Sequence, residues 1–392
     1  MCLSRLTLTT VAGVAVAFWV SVAPSVAGPI NLAMSGRSRR LKARNMKRKA
    51  VLLVMVCGFY LFSTSAGVAE DKESKKEPQV FNVKDFGAVG DGEADDTEAL
   101  QSAINEAIGA GTAVYIPRGT YCISKTIQVP LKTYGLTRAL RITGEWAMIQ
   151  ATKEMDSVMH IDVASWLTLE RLSLSGGGLA KHGLTAFKLS GRTVVLQQIA
   201  VDGAKSHGFV LEKCQGSTFR SCYAHLNGGD GWRLIDCNAA HFGSCSAMNN
   251  GGNGFTIAAK DFSAGCTLTG FWSERNKGHG VYVAPEVISP VILRDAWIEG
   301  NDLDGVRIGG VDAVLNGLGV TGSGKNGNRA IRLLKSAIGC HVTGCFVQYG
   351  ADSKTYENIR VEADPQENYI VGHFHRQSRR HSAIEPEIVW KD

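Results

Sequence analysis

Phe219-Arg220-Ser221-Cys222-Tyr223-Ala224-His225-Leu226-Asn227-Gly228-Gly229-Asp230-Gly231-Trp232-Arg233-Leu234 returns 23 residues later as Phe242-Gly243-Ser244-Cys245-Ser246-Ala247-Met248-Asn249-Asn250-Gly251-Gly252-Asn253-Gly254-Phe255-Thr256-Ile257. Working outward from this pair, the x-Gly-apolar phrase occurs six times, at His182-Gly183-Leu184, His207-Gly208-Phe209, Asp230-Gly231-Trp232, Asn253-Gly254-Phe255, His279-Gly280-Val281 and Asp304-Gly305-Val306, with steps of 25, 23, 23, 26 and 25 residues. An independent phrase, apolar-x-x-apolar-x-small or apolar, keeps the same beat from Leu169/Leu172/Leu174 to Leu293/Ala296/Ile298. A repeat of this length marks a solenoid, because one unit cannot bury its apolar face until the next stacks on it. The expected fold is all-β: a right-handed parallel β-helix (solenoid) with an N-terminal capping α-helix.

Composition agrees with many short strands: 45 glycines and only 20% charged residues in 392. The formal charge of +6 misleads, since nine Lys and Arg precede Glu70 with no acidic residue among them, and the remainder carries −3. No electrostatic support remains for a nucleic-acid partner.

Residues 1–69 read as a targeting region. Met46-Lys47-Arg48-Lys49, an apolar run from Ala50 to Ser63 and the small residues up to Ala69 together have the parts of a signal peptide over 46–69. Export to the periplasm, cell surface or medium follows, with no membrane contact after the signal is removed; a two-span membrane anchor is the competing reading. Residues 70–79 read as a linker, 80–372 as the β-helix domain, and 373–392 as a basic C-terminal tail carrying His373, His375, Arg379 and Arg380. Disulfides would be the usual reading of ten cysteines in an exported chain. Their positions point instead to core ladders: Cys222, Cys245 and Cys345 share one slot, Cys214 and Cys237 a second, Cys266 and Cys340 a third.

At the start of the domain, Asp85-Phe86-Gly87-Ala88-Val89-Gly90-Asp91-Gly92 is followed by Asp95-Asp96-Thr97, which can cap a helix with Leu100, Ile104, Ala107 and Ile108 on one face. Ala113–Ile116 and Tyr121–Ile123 read as strands around Pro117-Arg118-Gly119-Thr120. This stretch, Phe81 to Ser124, resembles the opening segment of the pectate lyase superfamily domain shared by rhamnogalacturonase-like and epimerase-like proteins, and the repeat spacing is similar to that superfamily's parallel β-helix. The resemblance implies a carbohydrate-active scaffold that hosts hydrolases, lyases, epimerases and phage tail spikes, so activity must be read from the site.

Equivalent residues of successive windings lie about 4.8 Å apart in such a fold, which turns sequence slots into ladders. One ladder is His207, Asp230, Asn253, His279 and Asp304; beside it, Val210, Arg233, Thr256, Tyr282, Arg307 and Arg332 point outward. Polygalacturonase-like glycosidases of the superfamily keep catalytic groups in this slot. Their Asn-Thr-Asp-Gly is similar to Gly228-Gly229-Asp230-Gly231 in its last two residues, their Asp-Asp falls on Gly252-Asn253, their Gly-His-Gly matches Gly278-His279-Gly280, and their Arg-Ile-Lys falls on Arg307-Ile308-Gly309. The surviving carboxylates, Asp230 and Asp304, are three rungs or about 14 Å apart, too far for two-carboxylate hydrolysis. What remains suits β-elimination or epimerisation of a uronic acid: Arg233 and Arg307 neutralise the sugar carboxylate, His279 or an arginine removes the proton, and Asp304 orients His279 and raises its basicity.

A second outward set comprises Tyr223 with His225, Trp272 with Glu274, and Trp297 with Glu299, a pattern suited to stacking sugar rings and holding their hydroxyls. Glu274 and Glu299, one rung apart, would suit a retaining hydrolase or a Ca²⁺ site; otherwise the tryptophans pack under a loop or the C-terminal tail. No other cofactor or metal is called for. Asn227, Asn250, Asn276 and Asn301 read as a structural ladder. The expected partner is an acidic polysaccharide such as pectin or rhamnogalacturonan, acted on by a lyase or epimerase, with a hydrolase less favoured; a non-catalytic glycan-binding or surface protein is the alternative.

Overall fold

The computed structural model describes residues 80–130, 139–162, 165–190, 194–261, 265–324, 328–348, 359–363, 367–371 and 388–390. The targeting region, the linker and the basic run of the tail lie outside the described residues.

The chain winds into a right-handed parallel β-helix. An 11-stranded sheet takes one strand from each winding, running from Ile127–Pro130 through Trp232–Ile235, Val281–Val283 and Val306–Ile308 to Ile388–Trp390. A 20-stranded sheet carries the two remaining faces. In the first windings these are joined in long bent strands, such as Val194–Asp202; later they split into pairs such as Thr218–Arg220 and Tyr223–His225.

The register explains the repeat. Phe209, Trp232, Phe255, Val281, Val306 and Ile331 align rung on rung and are all buried. Phe209 stacks on Trp232 with ring centroids 3.8 Å apart, and Phe219 on Phe242 at 4.7 Å. Each such side chain withdrawn from water contributes about 1.5–3 kcal/mol, but only once its neighbour is in place. The repeated glycine has a steric cause: a Cβ on Gly280 would lie 2.5 Å from the carbonyl oxygen of Gly305 in the next winding. Corners between strands use left-handed backbone in files of their own, Ser221, Ser244, Gly270, Asp295, Gly317 and Gly344 at one corner, and Leu226, Asn249, Arg275, Gly300 and Gly322 at another.

The eight described cysteines are buried in the core slots, and their thiols face carbonyl oxygens, as Cys222 Sγ faces Leu196 O at 3.5 Å and Cys266 Sγ faces Cys237 O at 3.5 Å. Asn227, Asn250, Asn276 and Asn301 form a continuous buried chain in which the Oδ1 of Asn250, Asn276 and Asn301 accepts both the backbone and the side-chain N–H of the asparagine one winding earlier, while Asn227 Oδ1 accepts from Ala204 N.

Helix α1, Thr97–Ala110, buries Leu100, Ala103, Ile104 and Ala107 and packs on the first strands, Val80–Asn82, Ala113–Ile116 and Ile127–Pro130. Its capping differs from the sequence expectation. Asp96 occupies the N-cap position without a capping bond, because its carboxylate instead accepts the N–H groups of Val89 and Gly90 at 2.5 and 3.0 Å. Asp95 Oδ1 accepts the Thr97 N–H, and Thr97 Oγ1 accepts the Ser124 N–H. The Gly-rich turn, the Asp-Asp-Thr and the strand around Tyr121 are thus one hydrogen-bonded knot, which is why they occur together in the sequence.

Candidate functional site

A tight turn after each asparagine delivers the chain to the 11-stranded sheet, and the residue before the repeated glycine stands at the strand entrance. Its side chain lies along the stack and accepts the backbone N–H of the same slot one winding later. His207 Nδ1 accepts from Asp230 N at 2.9 Å, Asp230 Oδ1 from Asn253 N at 2.9 Å, Asn253 Oδ1 from His279 N at 2.7 Å, His279 Nδ1 from Asp304 N at 3.0 Å, and Asp304 Oδ1 from Arg329 N at 2.7 Å. His, Asp and Asn share this slot because each carries an acceptor at the same distance from its backbone.

That bond settles the chemistry of His279. An imidazole nitrogen that accepts an N–H is unprotonated, so the neutral ring carries its proton on Nε2, which has no hydrogen-bond partner among the described residues. Burial, then Arg307 and Arg332, hold the ring's pKa down at about 4. His279 therefore presents a neutral donor to the groove. The expectation that Asp304 raises its basicity is corrected. Asp304 Oδ2 comes within 3.6 Å of His279 Nδ1, but that nitrogen is already filled by the Asp304 backbone N–H, and the two arginines outweigh the carboxylate.

Asp304 is fully buried; burial pushes its pKa up, against the Arg329 N–H and the surrounding arginines. Arg307 Nη1 and Arg332 Nε each lie 3.7 Å from its carboxylate, too far for a hydrogen bond. Asp230 is engaged differently, with Arg233 Nη1 at 3.1 Å from Oδ2. The structure thus keeps Asp230 and Asp304 three windings apart, each beside its own arginine.

The outward column is continuous: Val210, Arg233, Thr256, Tyr282, Arg307, Arg332 and Arg360 are successive register partners. Tyr282 and Arg332 stand among the outward residues of the sequence reading without a role there, yet the Tyr282 ring lies 5.7 Å from that of His279 and Arg332 reaches the same buried carboxylate as Arg307. Their signal was the slot itself. Earlier in the column come Thr185, His160 and Gln128, which floor a cavity of about 470 Å³ that the sequence reading did not find.

The second set lies on the other sheet, so the structure does not bring it together with His279 and Arg307. Tyr223, Ser246, Trp272, Trp297 and Gly319 form one column, and His225, Met248, Glu274, Glu299 and Thr321 another. Tyr223, Trp272 and Trp297 remain 43, 46 and 43% exposed. Trp297 Nε1 donates to Glu299 Oε2 at 2.8 Å, while buried Glu274 pairs with Arg275 at 2.9 Å. Both carboxylates are thus engaged by neighbouring side chains, and among the described residues they belong to no cluster of three or more His, Cys, Asp or Glu side chains.

Comparison with known proteins places this geometry. Residues 80–165 match the family described as rhamnogalacturonase A/epimerase, pectate lyase-like, and residues 160–347 match the right-handed β-helix region. The capsule KN3-specific depolymerase 1 of Klebsiella phage KN3-1 is 27% identical over 62% of this chain and 29% of its own length. Mannuronan C5-epimerase AlgE1 of Azotobacter vinelandii is 29% identical over 40% of this chain and 13% of its own. The chain thus spans less than a third of the length of these curated relatives. Among solved structures, the A-module of the A. vinelandii mannuronan C-5 epimerase AlgE6 superposes with a TM-score of 0.58 at 21% identity, covering 76% of this chain and 88% of that one. The opening knot of residues 80–124, the stacked windings and the two adjoining family matches identify residues 80–347 as a pectate lyase-like opening segment followed by a right-handed β-helix region.

Proposed function

We propose that this protein binds an acidic polysaccharide along the outer face of the 11-stranded sheet and acts on a uronate residue by β-elimination or epimerisation. The observation that carries this reading is the grouping of Arg307, Arg332, Tyr282 and the neutral His279 Nε2–H around the buried carboxylate of Asp304, while the neighbouring carboxylate, Glu362, lies 4.0 Å from Arg332 and 3.7 Å from Arg360. Arg307 and Arg332 neutralise the sugar carboxylate and so acidify the adjacent C–H. His279 donates to the enolate oxygen as charge develops there. In elimination the deprotonated oxygen of Tyr282 takes the C5 proton, the C–H electron pair forms the C4–C5 double bond as the C4–O bond breaks, and the phenol so formed protonates the departing oxygen; in epimerisation the C4–O bond stays intact and a proton is returned to C5 from the opposite face, which solvent can supply. A glycosidase would need two carboxylates open to the glycosidic bond; here Asp304 is fully buried and Glu362 is paired with Arg332 and Arg360. The relatives support the class, being a capsule depolymerase and a mannuronan epimerase by name, and export rests on the signal-like residues 46–69.

The test is an assay of the purified protein on polygalacturonate, rhamnogalacturonan and alginate, reading unsaturated ends, reducing ends and C5 configuration. Unsaturated or epimerised product that Arg307→Gln abolishes supports the reading; new reducing ends without unsaturation overturn it. A second reading, a non-catalytic glycan-binding protein, is favoured by the exposed Tyr223, Trp272 and Trp297, and binding without turnover of any substrate would select it.

A further inference from the structure

The cavity of about 470 Å³ lies on the same sheet face, at its N-terminal end. Its floor is the outward column Gln128, His160, Thr185 and Val210, which continues without a break into Arg233 and on to Arg307. A glycan lying along the helix axis would therefore cross both sites.

The lining differs in kind from the arginine end. Thr185 Oγ1 is held by His160 Nδ1 at 2.8 Å and by the buried Ser157 Oγ at 3.1 Å, so its hydroxyl is fixed in a polar cluster at the centre of the floor. His182 has its Nδ1 turned to the His207 N–H at 3.4 Å, and burial lowers its pKa to about 4, which leaves a neutral ring with its proton on Nε2. Asp156 and Glu212 add acceptors, Phe187 adds an apolar wall, and no Lys or Arg lines the space. Neutral donors facing acceptors suit the hydroxyls of a pyranose ring, and an aromatic wall suits its C–H face. Lys260 lies 3.9 Å from Glu212 and Lys188 sits 4.9 Å from the Phe187 ring, both outside the lining, so the space itself offers acceptors and neutral donors but no guanidinium or ammonium to receive an acid group.

We infer that this cavity is a subsite for a sugar residue without an acid group, so that the glycan is a mixed polymer whose non-acidic residue sits five windings before the acid sugar at Arg307. Five rungs are about 24 Å, and a pyranose unit is roughly one rung long. The part of this inference that concerns the polymer rests on the function proposed above; the part that concerns the cavity does not.

Binding of methyl glycosides of glucose, galactose, mannose and rhamnose, and of glucuronate and galacturonate, can be measured by saturation-transfer NMR on the purified chain, Thr185→Trp and Arg307→Gln. At least one neutral glycoside should bind the parent and Arg307→Gln alike and lose about tenfold or more in affinity, the equivalent of one good hydrogen bond, in Thr185→Trp. The uronates should show the opposite pattern. If no neutral glycoside binds, if Thr185→Trp leaves its binding unchanged, or if Thr185→Trp removes uronate binding, the cavity assignment is overturned. Uronate binding indifferent to Arg307→Gln, with the neutral pattern intact, instead overturns the acid site and leaves the cavity standing. Should Thr185→Trp not fold, Ser157→Ala with His160→Ala removes the partners of the Thr185 hydroxyl while reducing volume, and must give the same loss.

Discussion

His279 Nδ1 accepts the backbone N–H of Asp304 at 3.0 Å, so the same side chain both ties two windings together and decides which nitrogen faces the groove. These two duties can be separated, because Asn253 performs the first in its own winding with Oδ1 alone. His279→Asn should keep the inter-winding bond and fold with little change in stability, yet lose the Nε2–H donor and with it most of the turnover. His279→Ala leaves the buried Asp304 N–H without an acceptor and should cost about 1–3 kcal/mol as well. Urea unfolding and product formation on both variants check this. Full activity in His279→Asn would remove the histidine from the chemistry.

The same geometry gives stability a pH dependence. His182 and His279 have folded-state values of about 4 against an ordinary 6.5, both chiefly through burial, and His207 is shifted the same way. Between those values the unfolded chain binds more protons than the folded one, so their contribution is complete above about pH 6.5 and is lost as pH falls toward 4. The urea midpoint should fall through that window, and the His182→Asn, His279→Asn double variant should flatten the fall. A midpoint that is level from pH 7 to 4.5 contradicts the assignment.

Much of this was legible in the sequence for one physical reason: in a solenoid, register is periodicity, so residues two dozen apart in sequence declare themselves neighbours. Arg233, Tyr282, Arg307 and Arg332 could be placed in one column from spacing alone. What spacing could not supply was the direction of a side-chain lone pair. The role of His279 changes once its Nδ1 is seen to be occupied, and Asp96 leaves the helix cap because Val89 and Gly90 offer two N–H groups where sequence shows only a turn. The cavity escaped notice because half of its floor, Gln128 and His160, belongs to windings before the x-Gly phrase begins and carries no glycine to mark the slot.

Asn276 shows how much one rung of the buried amide chain contributes. Its Oδ1 accepts from Asn250 N at 3.0 Å and Nδ2 at 2.9 Å, and its own Nδ2 donates to Ala247 O at 3.1 Å and to Asn301 Oδ1 at 2.9 Å. Asn276→Ala strips partners from groups that water cannot reach, and each stranded group costs about 1–3 kcal/mol. Thermal unfolding should therefore show a loss larger than that of His279→Ala. A loss below about 1 kcal/mol would mean that solvent enters the turn to replace the amide.

The two outward faces predict different kinetic signatures. Trp272 and Trp297 are register partners on a sheet that carries neither His279 nor Arg307, and Trp297 is steadied by its bond to Glu299 over Gly319, where a Cβ would come within 2.7 Å of the indole. If this face only holds glycan, Trp272→Ala and Trp297→Ala should weaken binding of long chains about tenfold each, the equivalent of about 1.4 kcal/mol, while kcat stays unchanged. Gly319→Val, which displaces the indole without removing it, should reproduce the Trp297→Ala loss. Arg307→Gln should instead lower kcat and leave the tryptophan-face affinity intact. A fall in kcat from Trp297→Ala or Glu274→Gln, with folding preserved, would relocate the chemistry to that sheet.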